Sequence, residues 1–315
     1  MIVLDKYETA TALPYGALVE ALREAFKKDY TVPLRGMHKI PLADGATAIY
    51  GVMPGWAAGE VIGAKLITVF PGNAQKGLPT VQAVVALFDG ATGTPIGVVD
   101  GTEVTYRRTA AASALAADYL ARQDAARLLI VGPGALGRHF VGAMAAVRPI
   151  REVRLWGRDA AKAQAAAAEL AAAYPKLDIT AATDLEAAVG SADIVSSVTA
   201  STEPVVFGRW LKPGVHLDLV GAHTPTSREC DDEAVVRARV YADVRSNVFA
   251  EAGEILIPLK SGKITESHVL GDFSDLVSGR VAGRRSADEI TLFKSVGTAV
   301  EDLAAGALAL AQARK

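Results

Sequence analysis

The run Arg127-Leu128-Leu129-Ile130-Val131, followed at once by Gly132-Pro133-Gly134-Ala135-Leu136-Gly137, constrains this chain more than any other stretch. An almost wholly apolar pentad of this kind belongs in a parallel strand buried on both faces. The hexad fits G-x-G-x-x-G and opens a segment of helical period. In that setting the first glycine allows the tight turn, the second lets the backbone approach a pyrophosphate, and the third lets helix and strand pack closely. The start of the helix presents unpaired N–H groups to phosphate oxygens. The bare motif also arises by chance as an ordinary glycine turn. The strand before it and the helix after it make Gly132, Gly134, Ala135, Leu136 and Gly137 a dinucleotide loop.

A loop of this type is usually followed, about 20 residues on, by an Asp or Glu that binds the ribose 2′-hydroxyl from the end of the second strand. Here that strand ends in Trp156-Gly157-Arg158. No carboxylate stands at the strand end, and the Arg158 guanidinium matches a 2′-phosphate. NADP(H) is therefore the expected cofactor, with NAD(H) as the alternative. The competing reading of Arg158 is a surface arginine ahead of a helix cap at Asp159.

Beyond the loop, strands and helices alternate, which predicts a doubly wound parallel sheet of Rossmann type in an α/β chain. This domain is expected over residues 123–290. Residues 1–122 have a different period. A helix is expected over 14–30, with Leu18, Leu22, Ala25 and Phe26 on one face, before an irregular stretch around Pro33 and Arg35. Four short runs at 48–53, 61–69, 81–88 and 95–100 are separated by turn signals, as in neighbouring antiparallel strands. A long helix is expected from about Glu103 to Ala121. The final helix, 296–313, has no strand after it, so the segment 291–315 is expected to return to the first domain.

Composition excludes several functions. With 315 residues, 50% of them hydrophobic, the chain can bury a large core. Its formal net charge of -2 leaves no basic footprint for nucleic acid. The opening MIVLDKYETA has neither the basic start nor the apolar run of a signal peptide, and charges interrupt every later apolar stretch. A cytoplasmic protein without membrane attachment is expected. Cys230 is alone, so no internal disulfide forms, and its neighbours Glu229 and Asp231 do nothing to activate a thiol. His38, His139, His216 and His268 read as structural or surface residues, and no cluster has metal-ligand spacing, so no metal is expected.

At Arg108-Thr109-Ala110-Ala111, at Gly132 to Gly137 and at Phe293-Lys294-Ser295-Val296-Gly297, the chain resembles the ornithine cyclodeaminase and mu-crystallin family over almost its whole length. Within that family, Gly221-Ala222-His223-Thr224-Pro225 with Arg228-Glu229, and Ala282-Gly283-Arg284-Arg285-Ser286-Ala287-Asp288-Glu289, are most similar to the bacterial Δ1-pyrroline-2-carboxylate reductases. The resemblance implies an N-terminal α+β substrate and dimerisation domain completed by the C-terminal helix. It also implies a homodimer, with the active site in the cleft facing the Rossmann domain. The implied reaction is NAD(P)H-dependent reduction of a cyclic ketimine, Δ1-pyrroline-2-carboxylate or its six-membered homologue Δ1-piperideine-2-carboxylate, to L-proline or L-pipecolate. The same family leaves open an ornithine cyclodeaminase that recycles bound NAD, an open-chain amino-acid dehydrogenase and a non-catalytic binding protein like mu-crystallin.

Position by position, the resemblance assigns Arg35, Lys65 and Arg108 to the substrate carboxylate and Thr80 to the neighbourhood of the nicotinamide. It assigns Thr109, Thr199 and Ser295 to the cofactor. The chemistry agrees, because a bidentate arginine on a carboxylate fixes the adjacent carbon that receives hydride. Arg107 and Arg108 diverge by about 100° on a helix, so only one enters a given cleft, and the resemblance selects Arg108. Lys65 lies in an apolar strand and needs either solvent or a partner, and strand alternation alone leaves its direction open. His223 stands where cyclodeaminases carry an aspartate that acts in deamination and ring closure, which counts against the lyase. A histidine there donates a proton or shapes the pocket. The proton for the substrate nitrogen is expected from Lys65, His223 or water.

Overall fold

In the computed structural model, which describes residues 1–314, the chain forms two units. One is Met1–Thr109 together with the chain from Thr298 onward, and the other is Ala110–Gly297. Both expected boundaries are displaced. The helix Gly101–Leu120 runs unbroken through the first division, so no Gly, Pro or polar linker marks it. The strand Thr291–Lys294, expected in the C-terminal segment, belongs to the sheet of the second unit. The final helix, Ala299–Gln312, starts later than its apolar pattern suggests, because Gly297 has φ +81° and Thr298 supplies the cap.

The first unit is a seven-stranded sheet of β1 (Ile2–Leu4), β2 (Tyr30–Thr31), β3 (Gly36–Pro41), β4 (Thr47–Ala57), β5 (Val61–Val69), β6 (Val81–Asp89) and β7 (Pro95–Asp100). The order is β1-β7-β6-β5-β4-β2, with β3 also on β4. β4 to β7 pair antiparallel, as their alternation and turns require. The Asp89–Thr94 hairpin is closed by Asp89, whose carboxylate accepts from the N–H groups of Ala91 and Thr92. The stretch around Pro33 and Arg35 is irregular, as expected, but the short strands β2 and β3 on either side of it were not anticipated. β3 is exposed almost throughout, so it carries no apolar alternation to betray it. The helix Tyr15–Ala25 ends before the expected residue 30.

One face of this sheet is covered by Ala299–Gln312, which also packs on Tyr15–Ala25. Close approach needs glycine in β5: a Cβ on Gly63 would lie 2.5 Å from the Ala86 carbonyl oxygen and 2.7 Å from Leu303 Cδ2. The opposite face carries Trp56, Ile62 and Val84, which are 36%, 38% and 42% exposed. Ile62 lies opposite Trp56 and Phe88, and Val84 opposite Leu66, so these residues line one continuous apolar surface.

The second unit contains β8 (Arg127–Val131), β9 (Glu152–Trp156), β10 (Asp178–Ala181), β11 (Ile194–Ser197), β12 (His216–Leu219), β13 (Arg239–Ala242), β14 (Val269–Gly271) and β15 (Thr291–Lys294). They form a parallel sheet in the order β10-β9-β8-β11-β12-β15-β13-β14. This is the doubly wound arrangement the βαβ rhythm predicts. Strand order reverses between β8 and β11, and ligands of such sheets bind at the carboxyl ends on either side of that point. A core of Leu129, Val131, Val195, Leu217, Leu219, Val240 and Leu292 fills one side. No helix among the described residues is long and apolar enough to cross a membrane.

Candidate active site

The three glycines after β8 play three distinct steric roles. Gly132 has φ +107°, and a Cβ there would lie 2.5 Å from the Val198 carbonyl oxygen. A Cβ on Gly137 would come within 2.2 Å of the Gly132 carbonyl oxygen, so only glycine lets the helix Ala135–Ala145 start this close to the strand. Gly134 is the opposite case, since a Cβ there would meet nothing within 4 Å. It is the N-cap of the helix and makes no side-chain cap, which leaves the first N–H groups for a ligand.

Above this loop lies a pocket of about 310 Å³, lined by Gly132, Pro133 and Gly134, by residues 156–159 and by residues 198–201. A Cβ on Gly157 would lie 2.8 Å from Pro133 Cδ, so a ribose-binding acid is sterically disfavoured there. Asp159 is committed to capping Ala160–Ala173, where it accepts from Lys162 N at 3.1 Å. That hydrogen bond holds its carboxyl below the usual range. Arg158 and Lys162 therefore bring two cations to the pocket wall. Lys162 escapes sequence reasoning because it lies in an alanine-rich helix; its place in the first turn after the second strand is the available signal.

Thr199 closes the other side of the pocket, and its N–H and hydroxyl both donate to the buried Glu229, at 2.6 and 2.9 Å. Ser295 directs its hydroxyl to Asp243 at 3.0 Å, in the connection that leaves β15. His223 is exposed in the turn after β12, with Nδ1 3.0 Å from the Gly221 carbonyl oxygen.

The first unit holds a buried cluster of charges. Lys65 points to the helix-covered face of β5 and is 1% exposed, which resolves the direction that alternation left open. Its Nζ lies 2.9 Å from each carboxylate oxygen of Asp302. Arg108 Nε is 3.0 Å from Asp302 Oδ1, and its NH1 donates to Glu301. Burial lowers the Lys65 pKa to about 8, against the opposing pull of Asp302. Glu301 and Asp302 were not anticipated, although two carboxylates in an otherwise uncharged helix are a readable sign of buried partners. Arg107 goes elsewhere: it pairs with Glu103 at 2.6 Å, donates to the Leu13 carbonyl at 3.2 Å and lies over the Tyr15 ring.

Arg35 is half-buried just ahead of β3. Gly36 pairs with Val52, and the next residue of β4, Met53, pairs with Lys65, so the register brings Arg35 to the row of Lys65. Thr80 precedes β6, its carbonyl accepting from Phe70 N at 2.9 Å, and Thr109 is buried in Gly101–Leu120. Cys230 is buried, and burial pushes its thiol pKa well up. Among the described residues no group of three or more His, Cys, Asp or Glu is placed to hold a metal ion.

The model of the ornithine cyclodeaminase/mu-crystallin family matches residues 4–314. The Δ1-pyrroline-2-carboxylate reductase of Paracoccus denitrificans is 42% identical over 284 residues, covering 88% of this chain and 89% of that protein. The enzyme of the same name from Colwellia psychrerythraea is 38% identical over 307 residues, 97% of each. Among solved structures, Thermococcus litoralis Δ1-pyrroline-2-carboxylate reductase in complex with NADH and L-proline matches with a TM-score of 0.92 and 32% identity, over 100% of this chain and 98% of that one.

Proposed function

The chain belongs to the ornithine cyclodeaminase/mu-crystallin family, and from that premise we propose that it is an NAD(P)H-dependent oxidoreductase reducing cyclic ketimines to L-amino acids. The substrates of this reading are Δ1-pyrroline-2-carboxylate and its six-membered homologue. The observation that carries it is the buried cation pair Lys65 and Arg108 in a chain that also has a dinucleotide pocket. A ketimine carboxylate takes hydrogen bonds from these two cations and from Arg35. The Lys65 ammonium has three donors, of which one is given to Asp302 Oδ1, so donors remain for a ligand. The two cations and two carboxylates cancel in charge, which suits a substrate that is itself a zwitterion, carboxylate on one side and protonated imine on the other. The dinucleotide, when bound, supplies the hydride. With a pKa near 8, Lys65 is also placed to hold the proton destined for the substrate nitrogen.

For the coenzyme we favour NADP(H). Support comes from the crowded Gly157, the commitment of Asp159 to its helix, and the cations Arg158 and Lys162 on the pocket wall. The uncovered apolar face at Trp56, Ile62 and Val84 supports a homodimer formed through the first unit, which light scattering of the purified protein tests, a monomer rejecting it.

One set of assays tests the function. Purified protein is expected to oxidise NADPH, and NADH more weakly, when given Δ1-pyrroline-2-carboxylate, and to release no ammonia from ornithine. Ammonia and proline formed in equal amounts from ornithine, without net change in cofactor, would overturn the reductase in favour of the lyase. In the same assay Arg158→Ala is expected to raise KM for NADPH about tenfold and leave NADH nearly unchanged, because only NADPH offers a 2′-phosphate to the guanidinium. An equal effect on both coenzymes rejects that role for Arg158.

A further inference from the structure

Glu229 is a fully buried carboxylate to which the reaction above assigns nothing, yet five donors converge on it. Oε1 accepts from Ser197 Oγ at 2.8 Å, from Thr199 N at 2.6 Å and from Thr199 Oγ1 at 2.9 Å. Oε2 accepts from Gly221 N at 2.6 Å and from Ala222 N at 3.2 Å. The division is by strand: one oxygen serves the end of β11 and the loop after it, the other the loop after β12. We propose that Glu229 is a positioning residue for the dinucleotide, bracing these two loops so that Thr199 and its neighbours form a fixed wall of the cofactor pocket. The inference rests on the reading of that pocket as a nicotinamide-cofactor site.

Three further observations support the brace. The loops it joins are in contact, since a Cβ on Gly221 would lie 1.9 Å from the Thr199 carbonyl oxygen. The braced segment also bears on the glycine loop, where a Cβ on Gly132 would lie 2.5 Å from the Val198 oxygen and 3.2 Å from Thr199 Cγ2. Finally, Glu229 is itself anchored. Its N–H donates to Glu254 at 3.0 Å, Glu254 pairs with Lys294 at 3.3 Å, and Lys294 donates to the Ala222 carbonyl at 2.6 Å, closing the network on the second loop. Burial raises the Glu229 pKa, with the neighbouring Glu254 carboxylate, against the pull of Lys294, the Thr199 N–H and the Ser197 hydroxyl. Only an acceptor-only group satisfies such a shell, because an amide in its place sets N–H against N–H on one of the two loops.

The test measures NADPH binding, by quenching of tryptophan fluorescence, together with steady-state kinetics. Glu229→Gln is expected to raise the NADPH dissociation constant about tenfold or more, and KM for NADPH in parallel, with kcat at saturating cofactor changed less than about threefold. A residue that served stability alone would lower the melting temperature without this split. Ser197→Ala removes one donor from the brace without touching the pocket, and is expected to weaken NADPH about threefold. If Glu229→Gln does not fold, Ser197→Ala decides. A folded Ser197→Ala or Glu229→Gln protein that binds NADPH as wild type does overturns the brace. A wild-type protein that binds neither NADPH nor NADH overturns the cofactor reading instead.

Discussion

Replacing Arg108 by alanine is expected to lower kcat/KM for the cyclic ketimine by roughly tenfold to more than a hundredfold, the equivalent of about 1.5–3 kcal/mol for a lost charge-assisted hydrogen bond. NADPH binding is expected to change much less. The same substitution leaves Glu301 and Asp302 buried with Lys65 as their remaining cation in the cluster, and breaking a buried ion pair costs about 3–5 kcal/mol. A large fall in melting temperature therefore accompanies the kinetic loss, and Arg108→Lys separates the two effects. Lysine restores a positive charge to the acids but lacks the planar fork, so stability is expected to recover further than kcat/KM. Arg107→Ala is the control. That side chain spends its donors on Glu103 and the Leu13 carbonyl, so its loss affects packing of the first unit and has little effect on catalysis. If Arg107→Ala costs more activity than Arg108→Ala in folded proteins, the carboxylate clamp is misassigned by one residue.

The second large effect is expected at the dinucleotide loop, where two glycines two residues apart should respond in opposite ways. At Gly132, alanine meets both a positive φ of +107° and the Val198 oxygen 2.5 Å away. Strain of about 1–3 kcal/mol at such a backbone position lowers stability and displaces the pocket wall, so melting temperature and NADPH affinity should fall together. Gly134 has φ -73° and open space around its missing Cβ. Alanine there is expected to leave melting temperature unchanged or to raise stability by about 0.4–1 kcal/mol. It should nevertheless weaken NADPH on the order of a hundredfold, because its methyl occupies the space through which the backbone approaches the pyrophosphate. Calorimetry and a binding titration on the two variants check this. Normal NADPH binding by a folded Gly134→Ala protein would remove this loop from the pyrophosphate.

What the chain determined by itself is local. An apolar pentad, a glycine hexad and a helical period lie within a few turns of one another, and the steric demand at Gly137 comes from the Gly132 carbonyl of the same hexad, whereas that at Gly132 comes from the distant Val198. The four runs from 48 to 100 pair as consecutive antiparallel neighbours, as their alternation and the turn signals between them indicate. Arg107 and Arg108 had to diverge for the same kind of reason, the 3.6-residue repeat.

Tertiary structure decided everything that depends on which distant segments meet. β15 enters the sheet between β12 and β13, a place that chain order does not indicate. The division between the units falls inside Gly101–Leu120, because a helix can pass from one core to another without any break in its residues. Alternation in β5 was equally compatible with a solvent-facing Lys65, until the last helix covered one face of the sheet and brought Asp302, 237 residues away in sequence, to its ammonium. Arg228-Glu229 stands out in the sequence as a motif, but nothing there says what the Glu229 carboxylate binds. Only the parallel pairing of β11 with β12 brings both of the following loops within reach of its two oxygens. Local patterns record backbone preference and burial, whereas the partner of a buried charge is chosen by strand order and helix docking, which no window of neighbouring residues contains.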